Sequence, residues 1–248
     1  MTPKKEKKMA DEKSMDSPNR LARKTGVLYL LVVLCGIISE MLVRNIVFVP
    51  GDIAATVGQI TTYGFIFRLG FVVMLARLVF LTLLVLALYK LFGQVNRDVA
   101  AAMVAFGLVS VAVSMVALVF EFGAPLLLTS SDYSSLFTTD QWLAQVQFFI
   151  NMQVYADKAT QIFSLWVILL GFLMFKSGYV PKLLGILMMV AGVGYMADFL
   201  VFFLLPQLDV QIAGFAFLAE VAFPFWLLIK GVDVEAWKSR AAASRDCS

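Results

Sequence analysis

The chain has 248 residues, 61% of them hydrophobic and 15% charged, with a formal net charge of +3, and its mean hydropathy is +0.87. A soluble domain carries about 45–50% apolar and about 25% charged residues, so this composition excludes an ordinary soluble domain and describes a multi-spanning membrane protein. The chain contains no histidine, which removes His-based catalytic triads, His-ligated zinc and an axial haem histidine in one step.

Residues 1–24 form a mixed polar tail. Lys4, Lys5, Lys7, Lys8, Lys13, Arg20, Arg23 and Lys24 alternate with Glu6, Asp11, Glu12 and Asp16. That composition predicts a disordered basic tail that acts as a topology signal and can touch anionic lipid. The apolar run after it is too long for a cleavable leader, and no small-x-small cleavage site follows. Nothing in the tail reads as a nucleic-acid arm.

Six apolar spans then follow, each near the ~20 residues a bilayer requires. They run from about Gly26 to Val43, Phe65 to Leu91, Val99 to Phe120, Ala159 to Phe175, Leu183 to Leu205 and Ile212 to Ile229. The loops alternate in charge. The second loop holds Lys90 and Arg97, the fourth holds Lys176 and Lys182, and the C-terminal tail (residues 233–248), with Lys230 just before it, holds Lys238, Arg240 and Arg245. The first, third and fifth loops carry no Lys or Arg, although Arg44 and Arg68 flank the first. The positive-inside rule then places both termini in the cytoplasm.

Two outer loops read as helical. Pro50-Gly51 is a turn, and Asp52 can cap a short helix near 53–59. Thr138-Thr139-Asp140-Gln141 fits a capping box opening a helix near 141–156. That helix either lies at the interface or continues the fourth span outward. Cys35 sits in the first span and Cys247 in the C-terminal tail, so no disulfide is expected between them. Gly36 to Val43 lines up faintly with Gly194 to Val201, each placing an acid four residues after a glycine, as a weak sign of duplication.

Ionisable residues inside spans cost about 2.5–3.5 kcal/mol each on insertion scales, so each needs a reason. Arg77 falls mid-way along the second span and Glu220 near the middle of the sixth. Asp198 falls in the outer half of the fifth span and Glu40 in the outer third of the first. Arg68 falls at the outer boundary, with Glu121, Asp157 and Lys158 as secondary candidates at similar depth. Every such charge lies between mid-membrane and the outer face. The arrangement predicts a polar cavity open to the outside, lined by Glu40, Arg68, Arg77, Asp198 and Glu220. Acids outnumber bases there, so the cluster is a candidate proton or cation site. Pro224 lies four residues after Glu220 and removes the hydrogen bond to the Glu220 carbonyl, which would place a loosened backbone at the cavity floor. Ser39 has no base beside it beyond Glu40. No P-loop, dinucleotide fingerprint, CxxC or metal-spaced cluster is present, so no cofactor, metal or catalytic set is expected.

The runs GVLYLLVVLCGIISEMLVRN, VPGD, FRLG, LYKLFGQVNR, KSGYVPKLLGILMMVAGVGYMADF, LLP and E-x3-P-x-WLLIKGV, in this order, resemble a prokaryotic membrane family catalogued only as domain of unknown function 4386. The resemblance covers about Leu21 to Val232. It implies a compact helical membrane domain and no activity. Glu40, Arg68, Asp198 and Glu220 fall within the resembling motifs, whereas Arg77 does not. Where relatives carry a His near Trp166, this chain has Trp, so no His-dependent mechanism carries over.

The sequence therefore reads as an all-α fold: a polytopic transmembrane helical bundle of a bacterial or archaeal cytoplasmic membrane, its transmembrane domain at 25–232. The function it points to is binding of a small molecule, ion or lipid in an outward-facing polar pocket, transporter-like or sensory. An intramembrane enzyme acting on lipid through Glu220 or Asp198 is the less favoured alternative. A structural or partner-binding subunit is the other. Its surroundings are the lipid bilayer; the sequence names no protein partner and no nucleic acid.

Overall fold

A computed structural model describes residues 3–41, 45–129, 137–208, 212, 214 and 216–246. Every regular element among them is helical. Helix α1 runs Pro3–Ser39 and closes on a π-helical turn at Glu40 and Met41. A three-residue turn of helix, α2 (Asn45–Val47), and α3 (Ile53–Thr62) follow. The long helices α4 (Gly64–Phe92) and α5 (Arg97–Thr129) come next. Helix α6 (Thr139–Thr160) passes through a 3-10 turn, Gln161–Ser164, into α7 (Leu165–Ser177). Helices α8 (Lys182–Leu204), α9 (Ala216–Ile229) and α10 (Val234–Asp246) complete the chain.

Five helical stretches are long and apolar enough to cross a membrane: Pro18–Ser39, Gly64–Phe92, Arg97–Leu127, Thr139–Ser177 and Lys182–Leu204. The sixth apolar segment is a shorter helix, with its apolar part at Leu218–Ile229. Part of the expected sixth span, at residues 213 and 215, lies outside the described residues, as do residues 42–44, residues 130–136 of the third loop and Cys247. Three boundaries differ from the sequence expectation. Pro3 to Lys24, counted above with the disordered tail, belong to α1, and Ala22 is fully buried. Helix α5 continues past Phe120 through Glu121, Gly123 and Pro125 to Thr129. The outer helix and the fourth span form one 39-residue helical stretch.

The caps are made by local chemistry. The Asp52 carboxylate accepts from the Ala55 N–H at 2.9 Å. Thr138 and Gln141 close a reciprocal capping box at α6, satisfying two backbone donors that the helix start leaves open. The Trp142 indole N–H then donates to the Leu127 carbonyl at 3.3 Å and ties α6 to the end of α5.

The long helices form a closed ring. Helix α1 packs on α4, α4 on α5, α5 on α7, α7 on α8, α8 on α9, and α9 returns to α1. One half of the ring interior is solid. Leu84, Val85, Leu88, Leu91, Phe92, Met103, Leu170, Leu173, Met174, Met188, Phe223 and Leu227 are all close to fully buried there. Small residues let the helices approach closely, as membrane helix contacts require. A Cβ on Gly185 would stand 2.7 Å from the Gly171 carbonyl oxygen, and one on Gly171 would stand 2.7 Å from the Gly185 carbonyl oxygen. The outer surface carries Phe65, Val119, Leu183, Leu204, Leu218 and Ile229, all strongly exposed, which suits contact with lipid chains.

The solid half ends in a polar clamp. The Tyr179 hydroxyl (2.7 Å) and the Trp237 indole N–H (3.4 Å) both donate to the Leu91 carbonyl at the end of α4. The Val232 N–H donates to the Asn19 Oδ1 at 3.0 Å, and the Asp233 N–H to the Tyr179 carbonyl at 3.1 Å. Burial pushes the Tyr179 phenol far above its ordinary range, so it remains a donor at physiological pH. Gly231 takes φ +71°, the left-handed conformation that lets the chain turn out of α9 without a Cβ penalty.

Candidate functional site

The half of the ring away from the clamp is hollow. A cavity of about 460 Å³ is lined by residues of α1, α4, α5, α6, the 3-10 turn, α7, α8 and α9. Its volume lies within the range of small-ligand pockets, about 300–1,000 Å³. A recess of about 230 Å³ shares Gly36, Glu40, Arg77 and Asp157 with it, and adds Glu121, Gln153 and Phe48.

Each wall is a helical stripe. On α1, Tyr29, Val33, Gly36 and Glu40 recur at spacings that keep one face, and all four line the cavity. On α5, Ser110 and Ser114 stand one turn apart, with Glu121 two turns further on in the recess. Asp157, Thr160, Gln161 and Ser164 form the stripe at the α6–α7 junction. The 3-10 turn there tightens the backbone just where the wall turns polar. Such mid-helix 3-10 segments mark hinges or strained sequence. Ser164 Oγ donates to the Gly192 carbonyl at 3.3 Å and locks this junction to α8.

Arg77 enters from α4 and Glu220 from α9. Tyr195 and Arg77 both lie close enough to the Glu220 carboxylate to act on it electrostatically. The Tyr29 ring stands edge-on to Phe223 at 5.9 Å, which carries its hydroxyl from the solid core to the cavity wall. Three buried polar atoms on this wall have no hydrogen-bond partner in the protein: Tyr29 Oη, Arg77 Nε and Gln161 Oε1. Gln94 Nε2 and Trp226 Nε1 are also unpartnered, but neither residue lines the cavity. Leaving a buried donor or acceptor unmade costs about 1–3 kcal/mol, so three around one space mark a place where something else supplies the partners.

The sequence candidates divide cleanly. Glu40, Arg77 and Glu220 meet at the cavity, with Asp157 beside them and Glu121 in the recess. Arg68 is exposed and lines neither space. It lies nine residues before Arg77, and at 3.6 residues per turn that separation puts the two on opposite sides of α4. Asp198 lines neither space; it is buried and accepts from the Ile212 N–H at 2.6 Å, holding the segment after α8. The faint alignment of Glu40 with Asp198 therefore joins two residues with different surroundings. Lys158 places its Nζ 5.7 Å from the Phe202 ring centroid, away from the polar wall. Glu220 faces the cavity rather than lipid, and α9 runs on through Pro224. Tyr29, Tyr195, Gln161, Ser110, Ser114 and Trp166 were not among the sequence candidates. The signal that could have found them is polar or small residues three and four apart on otherwise apolar helices. Among the described residues, no group of three His, Cys, Asp or Glu side chains is placed to hold a metal ion.

The family model described as Domain of unknown function (DUF4386) matches residues 24–231. The chain belongs to this family. The match spans α1 from Lys24 to the end of α9, so the ring of helices and the whole cavity are family structure in this chain, while α10 lies beyond it. An uncharacterised protein of the archaeon Archaeoglobus fulgidus is 39% identical over 99 residues, covering 40% of this chain and 59% of that protein. The chain thus spans less than two thirds of that relative. No solved structure matches this DUF4386 chain.

Proposed function

We propose that this protein is a multi-pass protein of a prokaryotic cytoplasmic membrane, with both termini inside, that binds a small molecule or ion from the outer side. The observation that carries this reading is the meeting of Glu40, Arg77, Asp157 and Glu220 with three unpartnered buried polar atoms around one cavity. Intramembrane ionisable residues that face a shared interior space serve function by default. The positive-inside pattern supports the orientation, and it puts the hollow end outside because Asn19 and Val232, which flank the first and last apolar segments, meet at the solid end. The packed apolar half below the cavity blocks a continuous water path. That supports a binding or alternating-access device, transporter-like or sensory, over an open channel.

The test uses purified full-length protein in lipid nanodiscs and a panel of small solutes, scored by shift of the thermal transition. A solute that stabilises the wild type is expected to lose its effect in Glu220→Gln and Arg77→Ala. It should keep its effect in Arg68→Ala, a charge removed from the same helix but outside the cavity. If all three variants retain the shift equally, the cavity is not the binding site.

A further inference from the structure

We infer that the ligand of this cavity is a small organic cation, a protonated amine that also carries a hydrogen-bond acceptor; the inference rests on the pocket reading above and names its chemistry. Three carboxylates, Glu40, Asp157 and Glu220, line the cavity with a single guanidinium, Arg77. The adjoining recess adds a fourth carboxylate, Glu121, and no further base. Acids thus outnumber bases in the lining of the two spaces. Glu40, Glu121 and Asp157 are each engaged within the protein, but an ionised carboxylate offers about four acceptor sites, so engagement does not saturate it.

A second observation points to a ligand independently of the acids. Tyr29 is only 2% exposed, and its hydroxyl has no partner. Gln161 Oε1, an acceptor only, is likewise unpartnered on the same wall. The open Gln161 oxygen calls for a donor, the Tyr29 hydroxyl can accept one as well as give its own proton, and an ammonium group presents several donors and no acceptor. The rings of Trp166, Tyr29 and Tyr195 line the space, and aromatic faces attract a desolvated cation. Arg77 Nε is an open donor, so the ligand also offers an oxygen. Among the described residues, no three of the carboxylates converge as a metal-holding group. A cavity of about 460 Å³ without such a group suits a molecular cation better than a bare inorganic one, which needs several oxygens within one short shell.

The experiment uses matched probes of graded size at pH 7: an ethyl, butyl and phenethyl series, each carrying one methoxy oxygen and ending as ammonium, alcohol or carboxylate, with full-length protein in nanodiscs. The readout is the ligand-dependent shift of the thermal transition, converted to an apparent Kd by titration. At least one ammonium is expected to bind about tenfold or more tighter than its alcohol, the carboxylates to be weakest, and Glu220→Gln or Tyr29→Phe to erode the preference. Arg68→Ala should leave it intact. Binding of alcohols or carboxylates without the ammonium preference, lost in Glu220→Gln, overturns the cation class and leaves the pocket standing. Absence of any ammonium binding to a folded protein also overturns it, and the pocket is then judged by its own variants.

Discussion

The seam between α7 and α8 gives the sharpest stability prediction. Gly171 and Gly185 face each other so closely that a Cβ on either would stand 2.7 Å from the other's carbonyl oxygen. A Cβ on Gly185 would also stand 2.7 Å from the Phe175 backbone nitrogen. Ordinary contact begins near 3.4 Å, so the backbones must part by 0.7 Å (3.4 minus 2.7) before alanine fits. The obstacles include backbone atoms, which cannot rotate away. Overpacking of this kind costs about 1–3 kcal/mol, and alanine's better helix propensity returns up to about 1 kcal/mol. Gly171→Ala and Gly185→Ala should each lose about 1–2 kcal/mol. One separation relieves both clashes, so the double variant should cost less than the two single losses added together. The consequence reaches the cavity, because α8 carries Tyr195 and meets the α6–α7 junction at Gly192, where a Cβ would stand 3.0 Å from the Ile168 nitrogen. The assay is denaturant or thermal unfolding in mild detergent followed by far-UV circular dichroism. Wild-type stability in either single variant, or full additivity in the double, refutes this account of the seam.

Three further predictions concern the clamp and the excluded candidates. Tyr179→Phe and Trp237→Phe each remove one of two donors to the Leu91 carbonyl; each should cost about 0.5–1.5 kcal/mol, and the double variant should cost more than the sum, because only then is that carbonyl left without either donor. Gly231→Ala combines a positive φ with a Cβ driven into the Asn19 side chain. It should destabilise by more than 1 kcal/mol, about the usual penalty for a non-Gly residue in that region, and should speed proteolysis of α10. Asp198→Ala removes the acceptor of the Ile212 N–H and should lower stability by about 1.5–3 kcal/mol, the range for a hydrogen bond to a charged group. Solute binding by the folded fraction should stay unchanged, and a binding loss without a stability loss would return Asp198 to the site.

Local signals were legible in the sequence because their causes are local. Asp52 caps α3 and the Thr138–Gln141 box opens α6, since each depends on residues within one helical turn. The apolar runs gave the long helices, because a bilayer fixes their length. The gathering of Glu40, Arg77 and Glu220 could be anticipated from depth alone. Depth carries no azimuth, however, and that is why Arg68 and Asp198 were grouped with them. Helical phase would have separated Arg68, being half a turn out of phase with Arg77. Asp198 could not be separated in this way, because its partner is a backbone N–H fourteen residues away. Tyr29 and Tyr195 were not among the sequence candidates. Their role depends on which helices neighbour each other, and the order of helices around the ring is set by glycine contacts and long-range clamps such as Tyr179 to Leu91.

The most direct test of the central claim is the side from which the cavity is reached. Ser114, on the α5 wall, is replaced by Cys in a background with Cys35→Ala and Cys247→Ala. Intact cells and inverted vesicles are then treated with a small membrane-impermeant thiol reagent, with Gln207→Cys and Lys176→Cys as markers for the two faces. The account predicts that Ser114→Cys reacts in intact cells alongside Gln207→Cys, and that adding Gly36→Leu to fill the cavity slows it. Reaction only in inverted vesicles alongside Lys176→Cys, or none in a folded protein whose markers react, would contradict an outward-facing pocket.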